Sequence, residues 1–196
     1  VGLAPTTAET LRSPAAGEQR LPHPAAQAHV LIGMPALRRG DPDFFALQVG
    51  NYTLGGGGFV SRLVREVRER RGFAYSVYSQ FLPMAQPGPF LIGLQTRKEQ
   101  AGEALSVVRE VLAAFLAEGP SEAELQAARQ NLAGSFPLRL DSNRKILDNV
   151  AAIAFYGLPL DYLDRYVENI ERVMAADVRA AFARHVRLDD LVTVVV

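Results

Sequence analysis

Cysteine is absent from the 196 residues, so disulfides and thiol chemistry are excluded and no redox compartment is implied. An excess of charge is absent too. The 21 basic and 21 acidic side chains give zero formal net charge, leaving no global field to recruit nucleic acid or an anionic membrane. No run of about 18 apolar residues exists, and no charged-then-hydrophobic pattern opens the chain, which therefore reads as soluble, without membrane attachment and unaddressed. It begins at Val1 without a methionine, as an excised or processed piece would, so its compartment, bacterial periplasm or cytoplasm, is not readable from this end. Lysine occurs only at 98 and 145, a bias of genome composition rather than chemistry. Histidine is scarce as well: His23, His29 and His185 include no two that are four residues apart, which removes a helix-borne pair of imidazole ligands.

What is present suits one globular domain, with 48% hydrophobic and 21% charged residues. Residues 1–26, rich in Ala, Pro and Thr, read as a linker or extended N-terminal arm, and 27–196 as the folded domain. Residues 27–35 carry Val30, Leu31 and Ile32 together and suit a strand buried in a sheet, with His29 a packed or half-exposed residue. Asp41-Pro42-Asp43 starts a helix that runs through Phe44, Leu47, Gln48 and Tyr52. Residues 73–82 and 90–96 read as a hairpin. A helical stripe from Leu105 to Leu116 stops at Gly119-Pro120. Ser121 with Glu124 forms a capping box for a helix that carries Leu125, Ala128 and Leu132 inward and breaks near Pro137. Asp141 or Ser142 starts the next, through Ile146, Val150 and Ile153 to Gly157, followed by helices at about 161–172 and 175–186. Residues 191–196 (LVTVVV) require a buried strand. Strands interleaved with helices and one hairpin argue for an α+β class with helices on one sheet face.

The most committed stretch is Leu54–Tyr78, LGGGGFVSRLVREVRERRGFAYSVY. Each glycine from Gly55 to Gly58 costs roughly 0.5–1 kcal/mol relative to Ala where the backbone is fixed, so four together mark a mobile loop or a place of very close backbone approach. In the helix that follows, Val60, Leu63, Val64 and Val67 fall on one stripe, while Arg62, Arg65 and Glu69 point away. Arg68 and Arg70 occupy opposite shoulders, where a half-buried stem still lets the guanidinium reach out; the plainer alternative is a surface helix with a basic face. A phosphate cradle fits poorly. The lysine of G-x-x-x-x-G-K-[ST] is missing, and Val60 stands where G-x-G-x-x-G needs glycine. Strand parity puts Phe73, Tyr75, Val77 and Phe81 on one face and Ser76, Tyr78 and Gln80 on the other, which favours a core Tyr75 unless the regular strand begins after it.

The segment LGGGG..SRL..E.RERRGFAYSVYS resembles the opening of the second half of proteins in the pitrilysin/insulinase family of zinc metallopeptidases, in its bacterial and mitochondrial-processing branch. The likeness extends from about Gln27 to the C-terminus. It implies a mainly antiparallel sheet with helices packed on one face. It also implies an Arg–Tyr pair, here Arg68 and Tyr75, that holds the substrate backbone, with Gly55, Gly56, Gly57 and Gly58 as a flexible loop around the substrate. Periodicity does not choose between Arg68 and Arg70; only the likeness does, and Arg70, Arg71 and Tyr78 are the fallbacks.

A zinc peptidase of this family needs H-x-x-E-H and a further glutamate, and this chain has neither. Alone it is expected to hold no metal and to be catalytically inert. The resemblance implies zinc in a partner domain or subunit bearing H-x-x-E-H, with this chain contributing donors to the peptide substrate's developing oxyanion. The alternative is an assembly homologue with no peptidase role.

Overall fold

A computed structural model describes residues 14–196. Its sheet holds five strands in the order β1-β5-β2-β4-β3. β1 (Gly17–Arg20) runs parallel to β5 (Val192–Val195). β5 and β4 (Gly88–Arg97) flank β2 (Gln27–Leu37) antiparallel, and β3 (Ala74–Phe81) pairs antiparallel with β4. The sheet is therefore mainly antiparallel, as expected. β1 falls inside the expected arm of residues 1–26, of which 1–13 lie outside the described residues.

Alternation along β2 shows how the layers lie. Ala28, Val30, Ile32 and Met34 are buried, whereas Gln27, His29 and Leu31 are exposed. The inward set meets helices; the outward set meets solvent. Phe90 and Ile92 of β4 join the inward set, and Phe182 of α6 (Ala175–His185) contacts both Phe81 and Phe115, the latter on α2 (Ala101–Glu118), with ring centroids 5.6 and 4.9 Å apart. The apolar runs in β2 and β5 are thus buried on one side only. Leu31 is exposed, and Val192 and Val194 are half-buried on the open face beside Leu91, so the burial expected of both strands holds for one face of each.

α1 (Phe44–Asn51), α3 (Glu122–Gly134) and α5 (Tyr166–Arg172) complete the helical layer, α3 opening on the expected Ser121–Glu124 capping box. α4 (Asn143–Tyr156) departs from expectation. Of its stripe only Ile153 is buried, while Ile146 and Val150 are 44% and 51% exposed and Phe155 on its other side is 77% exposed. Its periodicity defines a face correctly, but nothing in the described chain covers that face. Among the described residues no helix is long and apolar enough to cross a membrane.

The glycine run also differs from a mobile loop. Tyr52–Gly56 continues α1 as a π-helical turn and Gly58–Val60 forms a short 3-10 turn. A Cβ at Gly55 would lie 2.5 Å from the Ser79 backbone nitrogen and 2.8 Å from Leu63 Cδ1, so that glycine lets the turn close onto β3. Asn51 secures the same approach, donating from Nδ2 to Ser79 O at 3.1 Å and accepting from Ser79 Oγ at 2.6 Å. Gly55→Ala is therefore expected to lower unfolding stability by about 1–3 kcal/mol through overpacking, read as a fall in the urea midpoint. An unchanged midpoint would mean that β3 yields without cost.

Candidate functional site

The helix after the glycine run is held down by Leu63, Val64 and Val67, all buried, and widens into a π turn over Val64–Glu69. Ser61 Oγ donates to Gly58 O at 2.7 Å and fixes its start. Three sequence assignments need correcting. Val60 belongs to the preceding 3-10 turn, before the helical phase begins, and is 60% exposed. Arg62 faces away from the apolar stripe but not towards water: it donates from Nε and Nη2 to the Glu124 carboxylate at 2.9 and 2.7 Å and to Gly119 O at 3.0 Å, tying this helix to α3. Arg65, also expected to point outward, is half-buried beside the same carboxylate at 3.7 Å.

Gly72, at φ 63°, ends the helix and turns the chain into β3. There the register with β4 shifts: Ala74 pairs with Thr96 and Ser76 with Gln95, leaving Tyr75 as the extra residue of a bulge. Ala74 and Val77 are consequently both buried, and Tyr75 is 81% exposed. Uninterrupted parity would have put Tyr75 in the core; the bulge turns it out.

Arg68 and Tyr75 meet. The Arg68 guanidinium lies 5.4 Å from the Tyr75 ring centroid and 4.8 Å from that of Phe59. Its carbon lies over both rings, and among the described residues it has no carboxylate partner and no hydrogen bond, so its N–H donors are uncommitted. Arg70 and Arg71 are different. Each ion-pairs with Glu66 at 2.8 Å, so neither offers a free fork. Tyr78, the remaining fallback, lies against Gly93, where a Cβ would come within 2.6 Å of its ring. Of the residues singled out by sequence, the structure brings together Arg68 and Tyr75, adds Phe59, and sets Gly55 behind β3 as packing.

Sequence reasoning did not bring together Asp41, Asp43 and His185, whose ligating atoms lie within 4.8 Å of one another, because 142 residues separate Asp43 from His185. Their fit to a metal is poor. Arg184 grips both Asp43 oxygens at 2.8 and 2.7 Å, and His185 Nε2 lies 3.0 Å from Asp43 Oδ2 while Nδ1 faces Ala36 O at 3.1 Å. Hydrogen bonding from Arg184 is the main cause that holds the Asp43 carboxyl below its usual range, opposed by burial and assisted by His185. The group is a salt-bridged clasp between α6 and the start of α1.

The fold and the relatives put the chain among the non-catalytic domains of zinc-protease-like proteins. Residues 5–132 match the family described as the peptidase M16 inactive domain, and the chain belongs to that family. It is 36% identical over 154 residues to an uncharacterized zinc protease of Streptomyces coelicolor, covering 79% of this chain and 33% of the relative. It is 30% identical over 174 residues to a non-peptidase homolog, YmxG, of Helicobacter pylori, covering 87% and 39%. The crystal structure of a peptidase M16 inactive domain from Pseudomonas fluorescens superimposes with a TM-score of 0.90 at 40% identity, over 95% of this chain and 45% of that one. The chain thus spans about a third of the length of these curated relatives.

Proposed function

We propose that this chain is the substrate-holding half of a zinc metallopeptidase, working opposite an H-x-x-E-H-bearing domain or subunit that supplies the metal. The observation that carries this reading is the juxtaposition of half-buried Arg68 with exposed Tyr75, the guanidinium lying over the ring and free of a carboxylate partner among the described residues. An arginine fork and a phenol hydroxyl suit peptide carbonyls, and they count most when negative charge builds on one carbonyl oxygen. The fixed guanidinium is a preorganised donor. The neighbouring glycine turn would border the substrate, with Gly56, Gly58, Phe59 and Val60 exposed. The uncovered apolar residues of α4 supply surface for a partner domain, consistent with relatives longer than this chain.

A second reading is favoured by one observation: a relative 30% identical is named a non-peptidase homolog, so this architecture also occurs in a protein so named. Metal analysis tests the first. The purified, tag-free chain is expected to carry no stoichiometric zinc and to cleave no peptide, and to support chelator-sensitive cleavage when combined with its H-x-x-E-H partner. Hydrolysis by the chain alone would overturn the division of labour; no hydrolysis from the zinc-loaded combination would favour the second reading.

A further inference from the structure

Two arginines facing one cavity have no carboxylate to answer them among the described residues. The cavity, about 280 Å³, opens between α1, the far end of β3, the turn Phe136–Arg139 and the segment leading into α5, and among the described residues no acidic one lines it. Arg39 Nε is buried without a hydrogen-bond partner among the described residues, and its guanidinium lies 5.3 Å from the Phe44 ring. Arg139 lies 5.2 Å from the Tyr166 ring. Among the described residues neither makes an ion pair, whereas Arg62, Arg70, Arg144, Arg165 and Arg184 each take a carboxylate. A buried cationic nitrogen without a partner is costly, and an incoming anion would remove that cost.

Both positive charges converge on two phenols. Burial raises the Tyr162 and Tyr166 hydroxyls above their usual range, and the charges of Arg39 and Arg139 oppose this at both sites. The hydroxyls therefore stay protonated at neutral pH, as donors rather than competing anions. Phe44, Leu47, Phe81 and Phe136 supply an apolar wall. The volume falls near the lower end of small-molecule sites, roughly 300 Å³, which is room for one amino-acid-sized group.

We propose that this cavity binds a carboxylate carrying an aromatic or bulky apolar body, with Arg39 and Arg139 holding the anion. The site does not rest on the peptidase reading: Gln80, at its rim, is about 16 Å along β3 from Tyr75, taking about 3.3 Å per residue. A free acid and the C-terminus of a peptide present the same chemistry.

Calorimetric titration of the 196-residue chain with N-acetyl-L-phenylalanine tests it, with N-acetyl-L-phenylalaninamide as the uncharged control and the tripeptide Ala-Ala-Phe as the second source. Saturable binding of at least one acid is expected, with the amide about tenfold or more weaker and Arg39→Gln and Arg139→Gln each losing about tenfold, the scale of one charge-assisted hydrogen bond. Arg139 is exposed, so its replacement leaves folding intact and keeps the test decisive if Arg39→Gln is unstable. Tripeptide binding equal to that of the single acid assigns the site to peptide termini; preference for the single acid assigns it to a free metabolite. No saturable binding of either acid, equal affinity for the amide, or undiminished binding by Arg139→Gln would overturn the proposal.

Discussion

Arg68→Ala and Tyr75→Phe are each expected to lower turnover of the proposed peptidase assembly by about 10²–10³, the effect of deleting one preorganised donor to a developing oxyanion. The Arg68 guanidinium carbon lies over two rings and has no competing carboxylate among the described residues, so its N–H groups are available without breaking another bond. Tyr75→Phe keeps the ring that supports the guanidinium and removes only the hydroxyl, separating donation from positioning. Neither change touches a buried side chain. The urea midpoint and the zinc content of the assembly should therefore stay nearly constant. Arg70→Ala is the control, because its guanidinium is exposed and already paired with Glu66; Arg65, half-buried beside Glu124, would confound stability with activity. Full activity in Tyr75→Phe would confine that residue to stacking. Full activity in Arg68→Ala as well would end the substrate-holding assignment and favour the assembly reading.

Much of this architecture was legible because local chemistry and tertiary structure agree there. Ser121 and Glu124 form the capping box their spacing announces, and Gly157 closes α4 in the left-handed conformation. What was not legible depends on partners distant in sequence or on a break in periodicity. Strand parity counts residues in twos, and a single bulge at Tyr75 reverses the count without any compositional mark. A helical wheel places Arg62 on the polar side but cannot show Glu124 arriving from α3, 62 residues away. The glycine run signals either freedom or close approach, and only the position of Ser79 on β3 decides for the second at Gly55. The stripe on α4 is a real apolar face; periodicity reports that a face exists, not that this chain covers it.

Arg62→Ala is expected to cost about 2–3 kcal/mol at pH 7, since it strips hydrogen bonds to a charged, largely buried partner. Arg62 and Glu124 have side chains only 15% and 19% exposed, and the guanidinium also lies 5.3 Å from the Phe115 ring, so the loss reaches from α3 to the core under α2. The pH dependence of this loss identifies its source. Burial alone would raise the Glu124 carboxyl, yet hydrogen bonds from Arg62 and Ser121 hold it at about 2 against its usual 4.5. A carboxyl depressed in the folded state contributes stability that is fully present above 4.5 and is lost as the pH falls towards 2. The wild-type chain should therefore weaken across that interval, while Arg62→Ala, with Glu124 released towards its ordinary range, should show a shallower decline from a lower starting point. Urea midpoints at pH 7, 4.5 and 3 suffice to measure both slopes. Arg62→Lys, which keeps the charge but loses the two-pronged grip, should fall between them. Parallel slopes in wild type and Arg62→Ala would mean that acid sensitivity resides elsewhere, with Asp43 in its Arg184 clasp the next carboxylate to test.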